Sequence, residues 1–131
     1  MHPKALALVR QRALAPLMNQ TKWTELTQAL DQVGDNGPRV SIKYIDRETV
    51  DGPSHIHWQE FLLQGSEWCE WMDIHSCEPV HRGQLLPPGE RDHCQEILQT
   101  LKQVGVPFSL QAKGFRVWAY VDGGQPPELV R

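Results

Sequence analysis

The chain has 131 residues, 40% of them hydrophobic and 22% charged, which is the size and composition of one globular domain with enough apolar material to fill a core. Thirteen basic residues against sixteen acidic ones leave a net charge of −3. That balance argues against a general polyanion binder, and no apolar run reaches the length a bilayer demands, so neither nucleic acid nor membrane is an expected partner.

The N-terminus differs from the rest. Met1 to Gln20 carries Lys4, Arg10 and Arg12 and no acid, while the other 111 residues hold 10 basic and 16 acidic groups. Ala5 to Val9 is too short for the apolar part of a secretory signal. Residues 1–17 are therefore expected to form an extension, helical or disordered. Three readings stand open: a short helix with Leu6, Val9 and Ala13 on one side and Pro16 as its stop, a transit-like segment, or residues upstream of a start at Met18. The three cysteines, Cys69, Cys77 and Cys94, are an odd number without zinc-motif spacing, so free thiols in a reducing cytoplasm are expected.

Thr21 is a suitable N-cap, and Trp23, Leu26, Leu30 and Val33 then recur at spacings of three, four and three, an apolar helical stripe closed by Gly34. Val40, Ile42 and Tyr44 alternate with polar residues as a first strand. Asp51-Gly52-Pro53 reads as a break. His55 to Leu63 and Trp68 to Ser76 read as a second and third strand, joined as a hairpin at Gly65-Ser66. Cys77 to Gly89, rich in Pro and Gly, reads as a loop. Arg91 to Val104 is the clearest helix, with Cys94, Ile97, Leu98, Leu101 and Val104 on its buried side and Gly105 as its stop. Phe108 to Ala112 and Phe115 to Val121 alternate as the last two strands, and residues 122–131 form a tail.

This order, α-β-β-β-α-β-β, predicts an α+β fold. One mostly antiparallel sheet of about five strands carries two main helices on one face as a two-layer sandwich, all within a single domain over residues 18–121.

Two stretches carry a family resemblance. One is Asn19-Gln20-Thr21-Lys22-Trp23 with Leu26. The other is Leu101, then Val104-Gly105-Val106-Pro107-Phe108, then Phe115-Arg116-Val117-Trp118-Ala119-Tyr120. Together they resemble a family of small uncharacterised bacterial proteins, a domain of unknown function, over about residues 18–120. The pair Ala119-Tyr120 departs from the Gly-Tyr of that pattern. The resemblance implies a bacterial cytoplasmic source and brings no catalytic residues with it.

No phosphate-binding loop, dinucleotide fingerprint or nucleophile elbow occurs. One interval stands out. Between Arg47 and Arg82 there is no Lys or Arg, but seven acids (Glu48, Asp51, Glu60, Glu67, Glu70, Asp73 and Glu78), four His, three Trp and two Cys. On the hairpin reading, a three-residue loop sets His57 opposite His75 and His55 opposite Cys77. Neutral imidazole and thiolate there suit a tetrahedral zinc site of His55, His57, His75 and Cys77. A two-residue loop puts these groups on opposite faces and leaves them as ordinary strand polar residues.

The second reading is recognition. An acidic, Trp-bearing face with Glu60, Glu67, Glu70, Asp73 and Trp71 would dock a protein partner with a basic surface, as immunity or inhibitor proteins do. Its alternative is a solvated face that keeps the chain soluble. A hydrolase-type enzyme, using Cys77 with His75 or His81, or Glu60 with Asp73, is the third reading. Arg116, Trp118 and Tyr120, alternating on the face opposite Val117, form a further candidate binding surface. No cofactor is expected beyond the zinc of the first reading.

Overall fold

The computed structural model describes residues 2–34, 37–80, 89–122 and 127–130, and for 77–80 and 89–91 the backbone alone. The apolar spacing read in the sequence becomes four helices among the described residues: α1 Pro3–Gln11, α2 Gln20–Leu30, α3 Trp58–Glu60 and α4 Cys94–Val104. Five strands, β2 Val40–Tyr44, β3 Val50–Ser54, β4 Cys69–His75, β7 Phe108–Gln111 and β8 Gly114–Trp118, form one sheet in the order β3-β2-β4-β8-β7, antiparallel at every pairing. Two further pairs stand outside it: β1 Leu14–Pro16 with β9 Tyr120–Asp122, and β5 Cys77–Val80 with β6 Gly89–Asp92.

The α+β fold follows from the alternation. Val40, Ile42, Met72, Ile74, Phe115, Val117 and Phe108 are buried in one cluster with Leu26 and Leu30 of α2 and Ile97 and Leu101 of α4. The register Val40↔Ile74↔Phe115 and Ile42↔Met72↔Val117 puts these side chains on one face of the sheet. The two helices lock each other at one end, where the Lys22 ammonium donates to the last carbonyl of α4, Val104, at 2.6 Å. That is where the helix dipole favours a cation. The N-cap of α2 is Asn19, whose side chain accepts from Lys22 N at 2.8 Å, two residues before the expected Thr21.

Three segments differ from expectation. His55 to Leu63 is not a strand. Residues 58–68 coil as α3, then a wide π-type turn (Phe61–Gly65) and a 3-10 turn (Ser66–Trp68). Trp58 and Phe61, three apart, are buried together, and Phe61 meets Trp23 of α2 edge to face at 5.1 Å. The hairpin is thereby absent, and β4 pairs with β2 and β8 instead. Asp51-Gly52-Pro53 lies inside a strand: β3 is an exposed edge, where a proline that donates nothing to the ladder is tolerated. The expected loop at 77–89 contributes β5 and the first residue of β6, and α4 starts at Cys94 rather than Arg91.

The two ends also belong to the fold. α1 places Ala5 fully inside the core, and β1 pairs with β9. Val130 donates its backbone N–H to Phe108 O at 2.8 Å.

At Gly114 the β8 backbone passes so close to β4 that a Cβ would overlap the carbonyl of Ile74. Gly114→Ala is therefore expected to pry β8 from β4 and to destabilise the fold by about 1–3 kcal/mol, read as a lower urea midpoint at an unchanged m-value. A wild-type midpoint would show that the strands can separate at no cost.

Candidate functional site

On the sheet face turned from α2 and α4, Asp73 and Arg116 are cross-strand partners and form a two-point pair, Nε to Oδ1 at 2.6 Å and Nη2 to Oδ2 at 2.9 Å. The guanidinium lies 3.7 Å from the ring centroid of Trp71 and 5.6 Å from that of Trp118. The Trp118 indole donates to Ser109 Oγ at 2.9 Å. Trp71 and Asp73 thus meet the Arg116 and Trp118 of the second candidate surface. Tyr120 does not join them. The strand breaks at Ala119, whose N–H donates to Glu70 O at 2.9 Å, and Tyr120 is buried, donating its hydroxyl to Glu67 O at 3.2 Å. Burial raises the Tyr120 pKa, with Glu67 and Cys69 adding to it.

The other expected acids are engaged within the chain. Glu70 is 9% exposed; Arg12 Nη2 lies 2.6 Å from its Oε1 and Lys43 Nζ 3.2 Å from its Oε2. The Arg12 contact is one of charge rather than of an aligned hydrogen bond, since Oε1 accepts none. Glu67 accepts from the backbone N–H of His2 at 2.8 Å. Glu60 is the exception. It is exposed and has no cationic partner among the described residues.

Glu60 lines a cleft of about 380 Å³ on the side of the sheet that Ile42 faces. Tyr44, Phe61 and Trp68 form its aromatic walls, and Asp46, Asp51, Arg47 and His57 its polar rim. Arg47 sits across that rim, 3.2 Å from Asp51 Oδ2, 3.8 Å from Asp46 Oδ1 and 5.1 Å from the Tyr44 ring centroid. Burial raises the Tyr44 pKa, Cys69 and Asp51 push it further, Arg47 opposes them, and the phenol keeps its proton.

The four residues read as zinc ligands are not gathered in one place. His57 lines the cleft beside Ile42, whereas His75 stands on the opposite face, its Nε2 3.1 Å from Ser41 Oγ. His55 lies between β3 and α3. The Cys77 side chain and His81 lie outside the described residues. Among the described residues no group of three or more His, Cys, Asp or Glu is placed to hold a metal ion. Glu60 and Asp73 likewise point to opposite faces. No described helix is long and apolar enough to cross a membrane.

The cleft was missed in the sequence because its walls come from a segment read as a strand. The signal was Trp58, Phe61, Leu62 and Gly65 at helical spacing. Arg47, Asp46 and Tyr44 sit where β2 ends, and only the fold of 58–68 brings them opposite Glu60.

The architecture is that of an α+β domain with its sheet covered by helices on one face. The chain belongs to DUF6678, a family of unknown function, whose family model matches residues 5–124. That span takes in α1 and β1 together with the domain expected from residue 18. No curated protein and no solved structure matches the chain.

Two expectations follow from these environments. Burial lowers the His75 pKa below its usual 6.5, and Arg39 and Lys113 lower it further against the opposing pull of Asp73. The unfolded chain then takes up the proton first, so His75 costs stability as pH falls through 6.5 toward the lowered folded value. Melting temperatures at about pH 7.5 and about pH 5.5 should fall less for His75→Gln than for wild type; an equal fall in both proteins would contradict the assignment. Cys69 is fully buried, and burial pushes its thiol pKa up, with Glu70 adding to it. In a Cys77→Ser, Cys94→Ser protein, a thiol reagent should label Cys69 only after denaturant is added.

Proposed function

We propose that this chain is a cytoplasmic binding protein that docks a cationic side chain of a protein partner in the cleft between β2–β3 and the coil 58–68. The carrying observation is Glu60, an exposed carboxylate with no cationic partner among the described residues, at the rim of an aromatic-walled cleft that also bears Asp46 and Asp51. Arg47 supports the chemistry. The protein's own guanidinium already lies over Tyr44 between two aspartates, the environment an incoming Arg or Lys would seek. The basic partner expected from the sequence is retained, but its docking place moves. Glu70 and Asp73 are neutralised internally, and Trp71 lies beneath Arg116.

A short arginine-rich peptide titrated into tag-free protein, followed by intrinsic tryptophan fluorescence to which Trp68 contributes, tests this. Binding should weaken steeply with salt, and Glu60→Gln with Asp51→Asn should reduce affinity by about tenfold or more. Affinity equal to wild type in the double variant, with an unchanged melting temperature, would remove the cleft as the docking place.

A further inference from the structure

At the opposite end of the sheet, and on its other face, two cations gather that have no carboxylate partner among the described residues. The backbone register makes the neighbourhood. His75 donates its N–H to Arg39 O at 3.0 Å, His75 pairs with Gly114, and Ser76 donates its N–H to Lys113 O at 3.0 Å. Three adjacent strands thus bring Arg39, His75 and Lys113 to one corner. Ser41 completes it, its hydroxyl 3.1 Å from His75 Nε2.

Two facts set this corner apart from an ordinary basic surface. Neither Arg39 nor Lys113 has a carboxylate partner among the described residues, and the nearest acid, Asp73, is held two-point by Arg116. The Nε of Arg39 is buried and has no hydrogen-bond partner. A buried guanidinium N–H is rarely left unmatched, because burial strips its water and an unmet donor costs about 1–3 kcal/mol.

We propose that Arg39, Lys113, His75 and Ser41 form a binding site for a tetrahedral oxyanion of the phosphate type. A guanidinium and an ammonium supply charge, Arg39 Nε and the Ser41 hydroxyl supply directed donors, and the imidazole adds a third cation once protonated. Phosphate fits this set better than a carboxylate because it has more acceptor oxygens and carries up to two charges near neutral pH. The shared chemistry is the phosphate group, whether as the free ion or as a monoester.

The test follows the His75 ring protons by NMR in the full-length, tag-free chain. Inorganic phosphate should shift them saturably and raise the His75 pKa beyond what sodium chloride of equal ionic strength does, because the anion stabilises the imidazolium. Arg39→Gln should weaken the effect about tenfold or more. Lys113→Gln, at an exposed turn position, should weaken it without changing the melting temperature, so the proposal stays testable should Arg39→Gln fail to fold. Glycerol phosphate then separates the sources. Tighter binding than inorganic phosphate assigns a monoester, and weaker binding assigns the free ion. Identical responses to phosphate and chloride, or full phosphate affinity in Lys113→Gln together with a folded Arg39→Gln, would overturn the site.

Discussion

A buried carboxylate holds this architecture in register. Glu70, on β4 in the middle of the sheet, is almost inaccessible, and its charge is tolerable there only because Arg12 and Lys43 converge on it. Lys43 comes from the neighbouring strand and Arg12 from the end of α1, so satisfying one acid draws the N-terminal helix onto the sheet. The same residue's carbonyl accepts from Ala119, where the chain leaves the main sheet to pair with β1. The N-terminal segment, β2, β4 and the bend before β9 all meet at one side chain and its peptide group.

That convergence separates what was legible in the sequence from what was not. The α2 and α4 stripes, the alternation of β2 and the β7–β8 pair could be read because each is a local period facing one large apolar surface. A short helix near the N-terminus is one of the readings open in the sequence, but its docking is not legible there, because α1 buries little beyond Ala5 and Arg12 is tied by a contact 58 positions away in sequence. The coil 58–68 is ambiguous in sequence because a short run of aromatic and aliphatic residues satisfies either period, and long-range burial such as the Trp23–Phe61 contact favours the helical one.

The acidic interval shows the limit of composition most clearly. Its lack of Lys and Arg is real in sequence, but in space Arg116, Lys43 and Arg12 fold back from outside to meet Asp73 and Glu70. Glu60 has no cationic partner among the described residues because its coil reaches the rim of the cleft, where Arg47 is held by Asp46 and Asp51. The reverse holds at Arg39 and Lys113, which are unremarkable in sequence and become a concentrated positive corner when three strands align.

The margins of the sheet carry a consequence for behaviour at high concentration. β3 forms one border and contains Pro53, which has no amide hydrogen to offer an incoming strand. β7 forms the other, and Val130 from the chain's own end already takes the carbonyl of Phe108. Strand-by-strand accretion between molecules therefore meets an obstacle on each flank, and cutting the last few residues would remove one of them, leaving exposed Leu110 on a β border with one more carbonyl open to pairing.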